Sequence, residues 1–495
     1  MIRKTLAILF VVVLVVPRAL CQSPPTPDWA LVHARTMEGI DSLYNFKFTS
    51  AEAKFNDVIR MAPQDPRGYF FKAMISYYRF EFMSVEADYD RFIQLSDSVI
   101  EVAENVLDND KKNSAALFYL GGIYGYRGIV KSDKDEILSA VWDGKKGYGY
   151  LCDALEIDPK NYDAMMGVGL FNYFLSKIPK AFRWVATAIG FDADGELGLK
   201  MLELTARKGT YARNEARWWL SQFYQWESET EKGVQYLKEL SESYPNNPFY
   251  IQTYGYALLF RLHRVDDATP VFQRAVSMTN WEAQRYITQG YHRLGHCYRF
   301  KGEFKEAIES YKKFITSVTI DTAQQRYAHY CIGLCYEMMG DRASALPYYQ
   351  ESPAYAVERL KQPMNEYDIE FEKMSNWFSA GYYTTGFDVG SALLARKDLT
   401  DDQRGDVLWQ IASTYFNQKD YTQASNKYMQ VTGLTIKNKS WIPPRAYYQI
   451  GLCHLRNGQK DLAKKAFEKA LEFEKYDNEE YIREVVEEEL DKIND

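Results

Sequence analysis

The chain has 495 residues, 46% hydrophobic and 26% charged, a balance that builds a folded core and excludes a globally disordered or fibrous protein. A net charge of −7 with a pI of about 5.6 offers no basic surface to nucleic acid, so DNA and RNA are not expected partners. Aromatic residues reach 15%, led by 39 Tyr, and the fold has to place those rings.

Residues 1–21 read as an export signal peptide, with Arg3 and Lys4 as its positive end, Thr5 to Val16 as an apolar run and Ala19-Leu20-Cys21 as the cleavage site. That run falls short of the ~20 residues a spanning helix needs, and no later stretch is long and apolar enough. The expected product is exported, periplasmic or outer-membrane-associated, and starts at Gln22. Loss of Arg3, Lys4 and Arg18 makes it more acidic than its precursor. A lipid anchor at Cys21 is not expected, because Leu20 stands where a lipobox carries a small residue and Arg18 where Leu is usual. Cleavage leaves Cys152, Cys297, Cys331, Cys335 and Cys453, an odd number that argues against a disulfide framework. Cys331 and Cys335 lie one helical turn apart, yet no second pair completes a zinc site, so these thiols are read as small buried hydrophobes.

Residues 22–31 are expected to be a linker, after which one spacing recurs. Tyr291, Leu294, Gly295, Tyr298, Gly302, Ala307, Tyr311 and Phe314 form its fullest copy. Echoes are His329, Ile332, Gly333, Tyr336, Gly340, Ala345 and Tyr349, and later Tyr447, Ile450, Gly451, His454, Gly458, Ala463 and Phe467. Apolar residues three and four apart put one stripe on each of two helices. Glycine inside the first helix costs about 1 kcal/mol against Ala, so Gly295, Gly333 and Gly451 should mark close helix contacts. Gly302, Gly340, Gly381 and Gly458 fall at the turn, where a left-handed residue ends the first helix.

This pattern resembles the tetratricopeptide repeat (TPR), a helix-turn-helix unit of about 34 residues, as found in exported bacterial TPR-repeat proteins. The resemblance implies an all-α, right-handed α-solenoid, with repeats starting near Val32, Pro66, Ser114, Tyr162, Asn214, Pro248, Thr288, Arg326, Tyr367, Gly405 and Pro444. That is about eleven repeats, divided into an N-terminal set at 32–247 with insertions and a C-terminal set at 248–478. The insertions separate Gly121 from its partner Gly147 and Gly169 from Gly198. Residues 479–495 form a capping helix and tail, with an apolar line through Ile482, Val486 and Leu490.

In such repeats the first helix turns its second, fifth, ninth, twelfth and thirteenth positions to a concave groove. By that frame the groove receives Trp218, Trp226, Phe249, Tyr256 and Phe260, then His292, His296, Tyr327, Tyr330 and Trp409. The Lys and Asn that grip a chaperone's terminal carboxylate in related domains are absent from the fifth and ninth positions. His292 and His296 have metal-ligand spacing, but the zincin motif needs Glu where Arg293 stands, so no metal is assigned. No nucleophile elbow, P-loop or dinucleotide fingerprint occurs, and neither catalytic residues nor cofactors are expected. The apolar segment 178–191, with Phe182, Trp184 and Ile189 beside Lys180 and Arg183, would plug the concave side, hold a partner or lie at a membrane surface. The leading expectation is a non-enzymatic scaffold for a peptide or protein segment. A glycan-binding, uptake-associated envelope protein and an enzyme are the alternatives.

Overall fold

Asp28, Asp65, Asn113, Asn161 and Asn247 each stand one residue before a helix and accept backbone N–H groups of its first turn. Those donors have no partner inside the helix, so each cap fixes where a helix starts. Pro66 and Pro248 follow two of these caps, where a missing N–H costs nothing. The linker therefore ends sooner than expected, because Asp28 starts the first helix at Trp29.

The computed structural model describes residues 26–178, 194–317 and 322–494. Among these residues the fold is helical, without strands, and the helices follow one another as hairpins. The first five are Trp29–Tyr44 with Phe48–Met61, Pro66–Met83 with Ala87–Asn109, Ser114–Asp133 with Ile137–Ile157, Tyr162–Ser176 with Gly195–Lys208, and Arg213–Trp226 with Thr230–Ser243. The sixth runs from Pro248–Tyr256 through a π-helical turn, Ala257–Arg261, to Val265–Val276. Next come Gln284–Lys301 with Phe304–Ile315, Thr322–Met338 with Arg342–Gln350, and Glu366–Ala380 with Tyr383–Ala395. Asp401–Asn417 with Tyr421–Thr432, Ile442–Arg456 with Lys460–Leu471, and the cap Glu479–Asn494 complete the array. Ile482 and Val486 of the cap are buried beside Phe467. The export signal and Cys21 lie outside the described residues, as does all of the 178–191 segment after Ile178. No described helix is long and apolar enough to cross a membrane.

The glycine contacts are as the spacing requires. A Cβ at Gly295 would lie 2.6 Å from the ring of Tyr311, and one at Gly333 or Gly451 would meet Tyr349 or Phe467 at 2.5 and 2.3 Å. Gly302, Gly340, Gly381 and Gly458 all have φ between 74 and 87°, the left-handed region. Gly121 and Gly147 bring two backbones together, and Gly169 and Gly198 do the same.

Two long-range dockings bend the solenoid back on itself. The first hairpins meet residues 211–286: His33 Nδ1 lies 2.9 Å from the Tyr211 hydroxyl, and Asn247 Nδ2 donates to the Tyr44 carbonyl across 2.5 Å. Asn280 Nδ2 donates to the Asn45 carbonyl across 3.1 Å, and the Tyr286 hydroxyl donates to the carbonyl of Phe82. One core thus runs from Ile40 to Ala283 and includes Tyr250, so the expected division at 247/248 has no counterpart in the packing. In the second docking, Glu366–Ala380 passes the eighth hairpin and packs on Gln284–Lys301. His263 Nδ1 sits 3.3 Å from the Ser379 carbonyl, and a Cβ at Gly381 would collide with the carbonyl of His263.

Candidate ligand-binding wall

On the helix Gln284–Lys301, residues 286, 293, 296 and 300 follow each other at steps of seven, three and four. This is one stripe of a 3.6-residue helix, so Tyr286, Arg293, His296 and Phe300 share a side. Tyr256 and Phe260, four apart on the preceding hairpin, meet in a tilted arrangement at 4.9 Å, and Phe260 meets His296 edge-on at 5.7 Å. His292 is 4.6 Å from His296, and Tyr327 of the next hairpin lies 5.9 Å from His296 and 6.3 Å from Tyr330. Six residues expected in the groove therefore form one contiguous wall: Tyr256, Phe260, His292, His296, Tyr327 and Tyr330. Tyr256 is exposed, Phe260, Tyr327 and Tyr330 are half-buried, and His296 is buried.

Electrostatics narrow the chemistry. Burial pushes the His292 imidazole down to about 3 and that of His296 well below its ordinary value, so both rings are neutral near pH 7. His296 Nδ1 is 2.9 Å from the Tyr311 hydroxyl. Arg299 Nη1 donates to Glu372 across 2.6 Å and to Asn376 across 2.9 Å, which balances its buried charge. Arg293 is different: its described contact is the Tyr256 ring, 4.6 Å from the guanidinium carbon, and burial lowers its pKa to about 10. It remains charged at pH 7. His292 Nε2, Arg293 Nε and Arg299 Nε have no hydrogen-bond partner among the described residues. The thiols of Cys297, Cys331 and Cys335 are buried and held protonated, Cys297 by a pKa pushed up to about 12. No cluster of described residues could hold a metal ion.

The other expected residues stand elsewhere. Trp218 is half-buried, 6.0 Å from Phe82 and 4.9 Å from Phe249, and Phe249 also meets Phe46 at 5.8 Å and Tyr286 at 5.1 Å. These two rings pack against the core that the chain's own first hairpins help to form. Trp226 is 60% exposed and lies near Phe174, away from Trp218. Trp409 packs on Tyr428 and Trp441 near the far end of the array. Arg293, Arg299, Glu372 and Asn376 were not singled out by the repeat frame. Glu372 and Asn376 arrive on a helix that skips a hairpin, which a sequential frame does not encode.

The model of the tetratricopeptide repeat family matches residues 288–317 and 444–477. These two stretches are tetratricopeptide repeats by that match. The first matched repeat carries His292, Gly295, His296 and Tyr311, so the wall is built partly on a well-formed TPR unit. Among solved structures the chain is similar to a tetratricopeptide repeat protein from Parabacteroides merdae ATCC 43184, at 16% identity, 55% of this chain, 97% of that one and a TM-score of 0.26. It is also similar to the P58(IPK) TPR domain, at 13% identity, 94% of this chain, 97% of that one and a TM-score of 0.21. Similarity to aspartyl phosphate phosphatase F from Bacillus subtilis is 14% identity, 84% of this chain, 98% of that one and a TM-score of 0.30. No curated protein matches the chain.

Proposed function

We propose that this TPR protein is an exported, non-enzymatic scaffold that holds an extended peptide or protein segment against the wall of Tyr256, Phe260, Tyr327 and Tyr330. The observation that supports the reading is a row of accessible rings next to buried nitrogens of His292, Arg293 and Arg299 that have no hydrogen-bond partner among the described residues. Rings give an extended ligand apolar contact at low conformational cost, and unspent donors give it register. Export rests on the leader at residues 1–21, whose charge, length and cleavage site fit a signal peptide.

The test is capture by the tagged mature protein from its native envelope, compared with a Tyr256→Ala/Phe260→Ala variant. Loss of an aromatic anchor typically costs 2 kcal/mol or more, so retention of the captured partner should fall by at least about tenfold. Full retention by a folded double variant would move the binding surface elsewhere.

A further inference from the structure

Several partly buried arginines of this acidic chain are matched to acids, whereas Arg404 donates to the carbonyls of Leu394 and Arg396 and Arg445 lies over the Trp441 ring. Arg79 pairs with Asp88 at 2.8 Å, Arg127 with Asp97 at 2.6 Å, Arg342 with Glu337 at 2.5 Å and Arg299 with Glu372 at 2.6 Å. Arg293 forms no ion pair among the described residues, although 67 Asp and Glu are available to the fold. Its guanidinium lies over the Tyr256 ring on the accessible wall, with Nε unpartnered. An unmatched charge withdrawn from water is costly, and a fold that pairs its neighbours has left this one open.

We infer that Arg293 is an anion site whose ligand is one carboxylate, presented by an acidic side chain within an extended peptide lying along the wall. The inference rests on the peptide-binding reading and adds the chemistry of the recognised residue. Charge balance selects a monoanion: Arg299 is neutralised by Glu372 and both imidazoles are neutral, so Arg293 supplies a single positive charge. A dianionic phosphate would bring surplus negative charge into that neighbourhood. Geometry selects a carboxylate, since a planar guanidinium presents paired N–H groups that match its two oxygens. The Tyr256 ring lies against the guanidinium at 4.6 Å, and the carboxylate would take its terminal N–H groups.

The test uses the mature chain and two immobilised pools of N-acetylated, C-amidated nonapeptides, randomised except for a central Glu in one and a central Gln in the other. The wild type should retain the Glu pool at least about tenfold over the Gln pool. Arg293→Met should abolish that preference and raise the melting temperature, because it removes an unmatched charge. Arg293→Lys should keep a weakened preference. Equal retention of both pools by the wild type, lost in Tyr256→Ala/Phe260→Ala, would overturn the carboxylate assignment and leave the groove reading standing. Retention of neither pool would overturn both. Preferential displacement by inorganic phosphate at constant ionic strength would replace the monoanion with a dianion. A lowered melting temperature of Arg293→Met would make the guanidinium a packing element and also overturn the inference.

Discussion

The Tyr44 hydroxyl donates to a carboxylate oxygen of Glu215 across 3.2 Å, although 171 residues separate them in the chain. The Tyr78 hydroxyl donates to the same oxygen, so one acid on the fifth hairpin ties down the first two. Glu215 is buried, on the wall of a small cavity shared with Ile40, Phe70 and Phe118. Glu215→Ala would strand two buried hydroxyls, at about 1–3 kcal/mol each. Glu215→Gln, which keeps an acceptor, should cost less. Urea unfolding measures the difference, and hydrogen exchange should rise at both Trp29–Tyr44 and Arg213–Trp226.

Two buried groups should tilt stability with pH in opposite directions. Burial raises the Glu215 carboxyl above 4.5, so its contribution is complete at low pH and is lost as pH rises through the folded value. Burial lowers His292 from 6.5 to about 3, so its contribution is complete above pH 6.5 and is lost as pH falls towards 3. Melting temperatures from about pH 4 to pH 7 should therefore show Glu215→Gln losing less stability than the wild type as pH rises. His292→Gln should lose less as pH falls.

Gly295→Leu puts a side chain where the Tyr311 ring already lies 2.6 Å from the Cβ position. Overpacking should cost about 1–3 kcal/mol despite the gain in helix propensity. Faster hydrogen exchange should concentrate at residues 288–317, since solenoid stability depends on nearest neighbours. An unchanged melting temperature would refute the contact.

Trp218 and Trp226 sit on one helix but should respond differently. Trp218→Ala opens a gap between Phe82 and Phe249 and should cost about 2–4 kcal/mol. Trp226, at 60% exposure, should tolerate Ala within about 0.5 kcal/mol. Thermal melts of the two single variants decide this.

N-terminal sequencing of the secreted or periplasmic fraction should begin at Gln22. A lipid-modified Cys21, or Met1 retained in fractionated cells, would contradict export by this leader.

The helix hairpin was legible in the residues themselves. Gly295 against Tyr311 and the left-handed Gly302, Gly340, Gly381 and Gly458 all lie within single repeats, where local spacing and a near-constant geometry decide which atoms meet. The repeat frame picked out a set of rings for a groove, but not what each of them packs on. Trp218 and Tyr256 both fall at groove positions, yet Trp218 packs on Phe82 while Tyr256 stays accessible beside Arg293. That difference depends on long-range packing, which sets the first hairpins on residues 211–286 and Glu366–Ala380 on Gln284–Lys301. Sequence by itself determined the repeating unit and the direction of its stripes, because those follow from interactions a few residues apart. Only the tertiary structure decided which concave positions became core and which stayed open, because that depends on contacts between residues as distant as Tyr44 and Glu215.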